Sequence, residues 1–297
     1  MKRIARVVCC CLLVLATACA SGGSRDPASR EPTAVSTLVV ALLPDENAAT
    51  VIQENQGLKA YLEETLELPV DLVVSTDYST MVEAARRNKT HLSYFGPLSY
   101  VIARSRTSLE PFAVRSRNGS TTYQAVVIGN REQGIDSFAA VEGRTVALGD
   151  PASTSSRLFP QLRLAEAGLH PDVHYQAVFL GGHDAVAKAV ERGFTAAGGL
   201  SRPIYDKLVA QGVINPDKLV VLGHSRPIPQ YPWTMSSGLP EDLRHAVRRS
   251  FYMLKDPAVL QPFQADGFAP VQDSDYDGIR QAARVLGLSL EALVTDP

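Results

Sequence analysis

From Leu38 onward, short apolar runs rich in β-branched residues alternate with longer stretches whose apolar positions recur at helical spacing. This alternation constrains the fold more than any other feature, because a strand–helix–strand repeat can bury both kinds of face only around a mainly parallel sheet. Strands are predicted at Leu38–Leu42, 70–74, 91–94 and 111–114, with helices at 50–66, 78–88 and 97–104. A second series places strands at 123–128, 144–148, 176–180, 196–200 and 218–222. Its helices fall at 155–167, 185–192 and 203–211. Helices at 240–254, 257–265 and 276–288 complete the chain. The expectation is an α/β protein of two lobes with parallel sheets. Residues 38–117 and 225–297 form the first lobe and residues 118–224 the second. In such folds ligands lie at the carboxyl ends of the strands, here facing a cleft between the lobes.

The 297 residues suffice for two cores, and 45% hydrophobic content is too high for a disordered chain. Lys+Arg 29 against Asp+Glu 31 leaves no broad basic footprint for nucleic acid. All four cysteines, Cys9, Cys10, Cys11 and Cys19, precede the alternating region, so neither a disulfide nor a thiolate metal site is expected there. Lys2, Arg3 and Arg6 followed by the apolar run 7–15 read as a signal peptide. Ala16-Thr17-Ala18-Cys19 resembles a bacterial lipobox, in which Cys19 is diacylated and becomes the first residue of the mature chain. Residues 1–18 are then the signal and 19–37 a flexible tether rich in Ser, Gly, Pro and charge. Two acyl chains give stable anchoring. The expected location is outside the cytoplasm, held at the membrane through Cys19.

Chemistry concentrates in Gly149-Asp150-Pro151-Ala152-Ser153-Thr154-Ser155-Ser156, which follows a strand and opens a helix. One Ser would suffice as an N-cap. Four hydroxyls beside unpaired first-turn amides and the positive end of a helix dipole make an anion site. Gly181-Gly182-His183-Asp184 has the same placement, with His183 a candidate donor and Asp184 a plain cap on the simpler reading. Tyr78 and Tyr94, at a helix start and a strand end, could present hydroxyls to the cleft or pack in the core. An enzyme is the main rival class. However, the chain has no G-x-S-x-G elbow, and adjacent His183 and Asp184 cannot easily orient one another. His170 and His174 are separated from any common helix face by Pro171, so no metal site is expected. A subunit presenting ligand to a membrane kinase is a third reading.

Taken in order, Phe95-Gly96-Pro97-Leu98-Ser99-Tyr100, Asp150-Pro151-Ala152-Ser153-Thr154-Ser155, Gly181-Gly182-His183-Asp184 and the 225–233 segment Ser-Arg-Pro-Ile-Pro-Gln-Tyr-Pro-Trp resemble a known group. It is the phosphonate/phosphite/phosphate-binding protein family of ABC importers, and the resemblance spans about residues 38–288. It implies a two-lobed type II periplasmic-binding fold with two hinge crossovers and an oxyanion clasped between the lobes. It also implies a monomer that delivers a small phosphorus oxyanion to a membrane permease, without catalysis or cofactor. Ser153, Thr154 and Ser155 match the family's Ser-Thr-Ser, His183 its ligand-binding His, and Tyr78 and Tyr94 are the expected hydroxyl donors of the first lobe. Ser156 stands where the family has Gly. Ala196 stands at the place read as the family's usual Asp, and Arg202, where an acidic or neutral residue is more common, is either a further ligand-binding residue or an exposed residue at a helix start. With no carboxylate in that stretch to hold an ammonium group, phosphate, phosphite or methylphosphonate is expected to bind more tightly than 2-aminoethylphosphonate. Asp45, Glu46 and Asp206 are the alternative carboxylates, which the sequence does not place.

Overall fold

An apolar run without alternation needs cover on both faces, and Leu38–Leu42 (β1) obtains it inside a sheet, with parallel neighbours on either side. The computed structural model describes residues 35–295. The signal segment, Cys19 and most of the tether lie outside the described residues. Asn47 caps α1 (Ala48–Glu54), its side chain accepting from Ala49 N and Thr50 N. The single helix expected at 50–66 is two, because Asn55 ends α1 and returns its amide to Val51 O at 2.8 Å before α2 (Gln56–Leu66) begins. Short polar side chains that bond their own backbone compete in this way with the helical ladder. Then follow β2 (Val70–Val74), α3 (Tyr78–Arg86) with Asp77 as N-cap, β3 (Leu92–Tyr94), α4 (Pro97–Arg106) with proline in its first turn, and β4 (Leu109–Ser116).

The chain leaves this first sheet through β5 (Thr122–Tyr123). It then forms β6 (Ala125–Asn130), β7 (Thr145–Leu148), a π-helical turn at Thr154–Leu158 and α5 (Phe159–Glu166). Next come β8 (Gln176–Phe179), α6 (His183–Glu191), β9 (Ala197–Ser201), α7 (Arg202–Ala210) and β10 (Leu219–His224). The return passes through β11 (Ile228–Pro229), which pairs antiparallel with β5, so the two crossovers form one short ribbon. β12 (Pro232–Ser236), α8 (Glu241–Met253), α9 (Pro257–Leu260), β13 (Gly267–Pro270), α10 (Asp277–Val285) and α11 (Ala292–Thr295) finish the chain.

The first sheet has the order β13-β4-β12-β3-β1-β2 and the second β10-β6-β9-β7-β8. The expectation of parallel sheets is corrected. β12 runs antiparallel to both β3 and β4, β13 to β4, and β6 to both β9 and β10. The reason is the double crossover. A strand that returns from the other sheet, or feeds it, enters its own sheet from the opposite end. β12 and β13 lie where no strand is expected, and they carry Pro232, Gly267 and Pro270, residue types uncommon inside a sheet. Yet β12 lies inside the first sheet, where Trp233 and Met235 are fully buried with Phe251. The type II arrangement of two α/β lobes, a cleft and two hinge crossovers is present.

The carboxyl ends of β1, β3, β7 and β8 run directly into segments 43–46, 95–97, 149–156 and 180–183, the last three of which hold motifs singled out above. These ends face one another across the cleft. Bonds between the two halves join them there: Leu98 N to Thr154 Oγ1 at 2.7 Å, Tyr78 N to Asp150 Oδ2 at 3.1 Å, and His183 N to Asp45 O at 2.8 Å.

Candidate functional site

Ser153 caps the π-helical turn, its Oγ accepting from Ser156 N at 3.1 Å, so its hydroxyl hydrogen remains free to point elsewhere. Thr154 Oγ1 likewise accepts from Leu98 N and keeps its own proton to donate. Ser155 Oγ is buried and has no partner. The loop before them is pinned by Asp150, whose carboxylate accepts from Ala152 N at 2.7 Å and, across the cleft, from the first amide of α3. Ser156 takes no part in the cluster. Its hydroxyl donates to Gly199 O, and its side chain fills the space that a Cβ on Gly149 would occupy. The extra hydroxyl of the Ser-Thr-Ser-Ser run therefore ties the turn to β9.

His183 opens α6, fully buried. Its Nδ1 accepts from Ser201 N at 2.9 Å, which places the single ring proton on Nε2. Burial drives its pKa down to about 3, so the ring is neutral at physiological pH, and Nε2 is a buried donor with no partner. Two tyrosine hydroxyls meet these groups: that of Tyr78 lies beside Ser153 and that of Tyr123 beside Ser155 and Tyr231. Neither completes a hydrogen bond, and both are buried. Desolvation raises the pKa of each phenol, so each remains a protonated donor. Unpaired buried polar atoms are costly, about 1–3 kcal/mol each. The hydroxyls of Tyr78, Tyr123 and Ser155 gather about the π-turn, His183 Nε2 stands at the head of α6, and each of the four has a hydrogen to donate.

Tyr94 stands at the side of this cluster. Its ring stacks on Trp233 with centroids 4.7 Å apart and packs edge-on to Phe263. With Asp45, Tyr231, Ser201, Lys207 and Arg115 it lines an adjoining cavity of ≈ 90 Å³ between the two halves. Arg202 is not brought into the cluster. Its side chain is 47% exposed and pairs with Asp206 at 3.6 Å on the outer rim, the i,i+4 neighbour that helix geometry provides. The reading of Ala196 as a cleft position is corrected. Ala196 precedes β9 and packs in the core with Val146, Leu148 and Leu164, whereas the cleft lies at the opposite end of that strand, beyond Ser201. Neither residue therefore bears on whether a ligand amine is held. His170 and His174 are engaged with each other, His174 Nδ1 accepting from His170 N at 3.1 Å.

Sequence reasoning passed over Tyr123 and Tyr231 as site residues and could not place Asp45. Tyr123 carries no local signal beyond its position at the start of a strand. Tyr231 lies between Pro229 and Pro232 in a segment that reads as a loop. Asp45 sits just past the carboxyl end of β1, and that placement was the one available hint.

A family model described as ABC transporter, phosphonate, periplasmic substrate-binding protein matches residues 40–276. The phosphate-import protein PhnD of Mycolicibacterium smegmatis is 26% identical, over 93% of this chain and 94% of its own length. The probable ABC transporter phosphite-binding protein PhnD1 of Prochlorococcus marinus is 23% identical, over 84% and 89%. The solved structure of that PhnD1 in complex with methylphosphonate superposes with a TM-score of 0.78 at 22% identity, covering 85% of this chain and 98% of that one. A binding-protein component of an ABC phosphonate transporter from Pseudomonas aeruginosa gives 0.79 at 20% identity, covering 84% and 86%.

Proposed function

Because the chain belongs to the periplasmic substrate-binding protein family of phosphonate ABC transporters, we propose that it captures a small phosphorus oxyanion, namely phosphate, phosphite or a small phosphonate, and delivers it to a membrane permease. One observation carries this reading: the unpartnered buried donors of Tyr78, Tyr123, Ser155 and His183 converge beside the free hydroxyls of Ser153 and Thr154. A multiply charged anion needs many donors, and bonds to charged groups are the strong ones. Tyr94 and Tyr231 border the same place. The adjoining ≈ 90 Å³ cavity is far smaller than the roughly 300–1,000 Å³ of drug-sized pockets, which favours a ligand with at most a short substituent. Residues 38–117 with 225–297 act as one lobe and 118–224 as the other, closing on the ligand about the β5–β11 ribbon. The protein works as a monomer.

Trp233, the single tryptophan, lies under Tyr94 and serves as a reporter of ligand entry. Fluorescence and calorimetric titration of the mature chain with phosphate, phosphite and methylphosphonate test the reading. Stoichiometric binding with the ligand recovered unchanged is expected. Absence of binding by all three would overturn it.

Anchoring is proposed through a diacylated Cys19. Cys19→Ser should release the protein from membranes, and retention of an acyl-labelled variant would refute the lipobox.

A further inference from the structure

Every group that the pocket turns inward is a donor except one. Asp45, half-buried in the loop after β1, is held against the head of α6 by the 2.8 Å bond from His183 N to its main-chain oxygen. It lines the cavity beside the donor cluster together with Tyr94 and Tyr231, and its charge acts on the hydroxyls of those two and of Tyr78. It therefore belongs to the shell of the oxyanion donors. It pairs with no cation. Lys207 of α7, the nearest one, is occupied by Glu46 at 2.5 Å and Glu54 at 3.3 Å, and Arg115 of β4 is held by Gln230 and Phe263 O. The other groups facing it are Glu46 on its own loop, which opposes its ionisation, the neutral His183, and the phenols of Tyr78, Tyr94 and Tyr231. Burial and Glu46 raise its pKa to about 7 against the pull of Lys207.

A carboxylate and an ionised ligand oxygen repel in so desolvated a space unless a proton lies between them. We propose that Asp45 reads the protonation of the ligand: it shares one hydrogen with the bound oxyanion, and so admits phosphorus oxyanions and rejects sulfate. Phosphate-type ligands ionise for the second time near neutral pH and can hold that proton, whereas sulfate is fully ionised there. The proposal rests on reading the pocket as a phosphorus-oxyanion site. It adds the residue that sets its selectivity.

Calorimetry in two buffers of different ionisation enthalpy tests it, with phosphate, phosphite, methylphosphonate, 2-aminoethylphosphonate and sulfate as probes. At pH 8 the wild-type protein should take up close to one proton per phosphite or methylphosphonate bound, whose dianions carry no hydroxyl, and less for phosphate, whose dianion keeps one to share. It should bind sulfate at least a hundredfold more weakly. Asp45→Asn should lose the proton uptake, bind the phosphorus ligands tenfold or more weakly, and bind sulfate more tightly. If the wild-type protein binds no phosphorus ligand, the proposed function and this inference fall together. If it binds phosphite and methylphosphonate without proton uptake, or if folded Asp45→Asn keeps the discrimination against sulfate, only the role of Asp45 is refuted. A marked preference for 2-aminoethylphosphonate that Asp45→Asn abolishes would assign the carboxylate to an ammonium group and overturn proton sharing. Should Asp45→Asn not fold, proton uptake by the wild-type protein decides the matter alone.

Discussion

Thr154 illustrates why a hydroxyl in this pocket cannot be replaced by a methyl group. Its oxygen accepts from Leu98 N and so joins the two halves, while its hydrogen stays available to donate. Thr154→Ala should weaken oxyanion binding by about 1–3 kcal/mol, or roughly ten- to a hundredfold, and Thr154→Ser should recover most of the loss. Equal affinities for wild type and Thr154→Ala in a titration would remove Thr154 from the site. His183 links the same pocket to pH. Its native pKa, about 3, lies below the ordinary 6.5, so between these values the unfolded chain binds a proton that the native state refuses. The stability this residue provides is therefore complete above pH 6.5 and declines as the pH falls toward 3. Asp45, with its raised pKa, acts in the opposite sense between about pH 4 and 7, so the comparison must isolate His183. In chemical denaturation, the stability gap between wild type and His183→Gln should shrink by roughly 2 kcal/mol from pH 7 to pH 5. A gap independent of pH would contradict a buried neutral imidazole.

At the scale of elements, the pocket depends on how closely α5 and the π-turn can lie on β9. Gly199 makes that approach possible, since a Cβ there would meet the Pro160 ring at 2.2 Å, and a proline ring has little freedom to move aside. The neighbouring Ser156 bond to Gly199 O depends on the same contact. Gly199→Ala should cost about 1–3 kcal/mol or more of stability, with ligand affinity falling as the Ser153–Ser155 turn is pushed outward. Thermal melting with and without ligand checks both parts, and an unchanged melting temperature would mean that the contact is not tight. The hinge ribbon has a different design. Gln230 bonds Thr121 O through its backbone N–H and Thr122 O through its side chain, while its Oε1 accepts from Arg115. The two crossover strands are thus fastened to each other.

Across the whole molecule, Lys207 is the one side chain of α7 that forms ion pairs with the opposite half, binding both Glu46 and Glu54 from a largely buried position. Without it, two carboxylates would face each other beside Asp45. Lys207→Met should favour separation of the halves, raise the ligand off-rate, and weaken binding by about 1–3 kcal/mol while leaving each half folded. Small-angle scattering should report a larger radius of gyration for the ligand-free variant than for wild type. Matching scattering curves and matching off-rates would show that the ion pairs do not hold the closed form.

What the sequence by itself determined was local. Asp77, Pro97 and Ser153 mark helix starts, the buried runs of β1 and β7 mark strands, and the Ser-Thr-Ser run marks a hydroxyl-bearing turn after β7, because these signals depend on residues a few positions apart. Tertiary structure decided the rest. β12 and β13 became strands despite proline and glycine because neighbouring strands supplied their partners. Asp45, Tyr78, Tyr123, Ser155, His183 and Tyr231 meet only because two crossovers fold two sheets with their strand ends facing one another. Hydrophobic periodicity records which face of an element is buried. It carries no information on which strand end of one lobe will face which of the other, and in this protein that pairing composes the pocket.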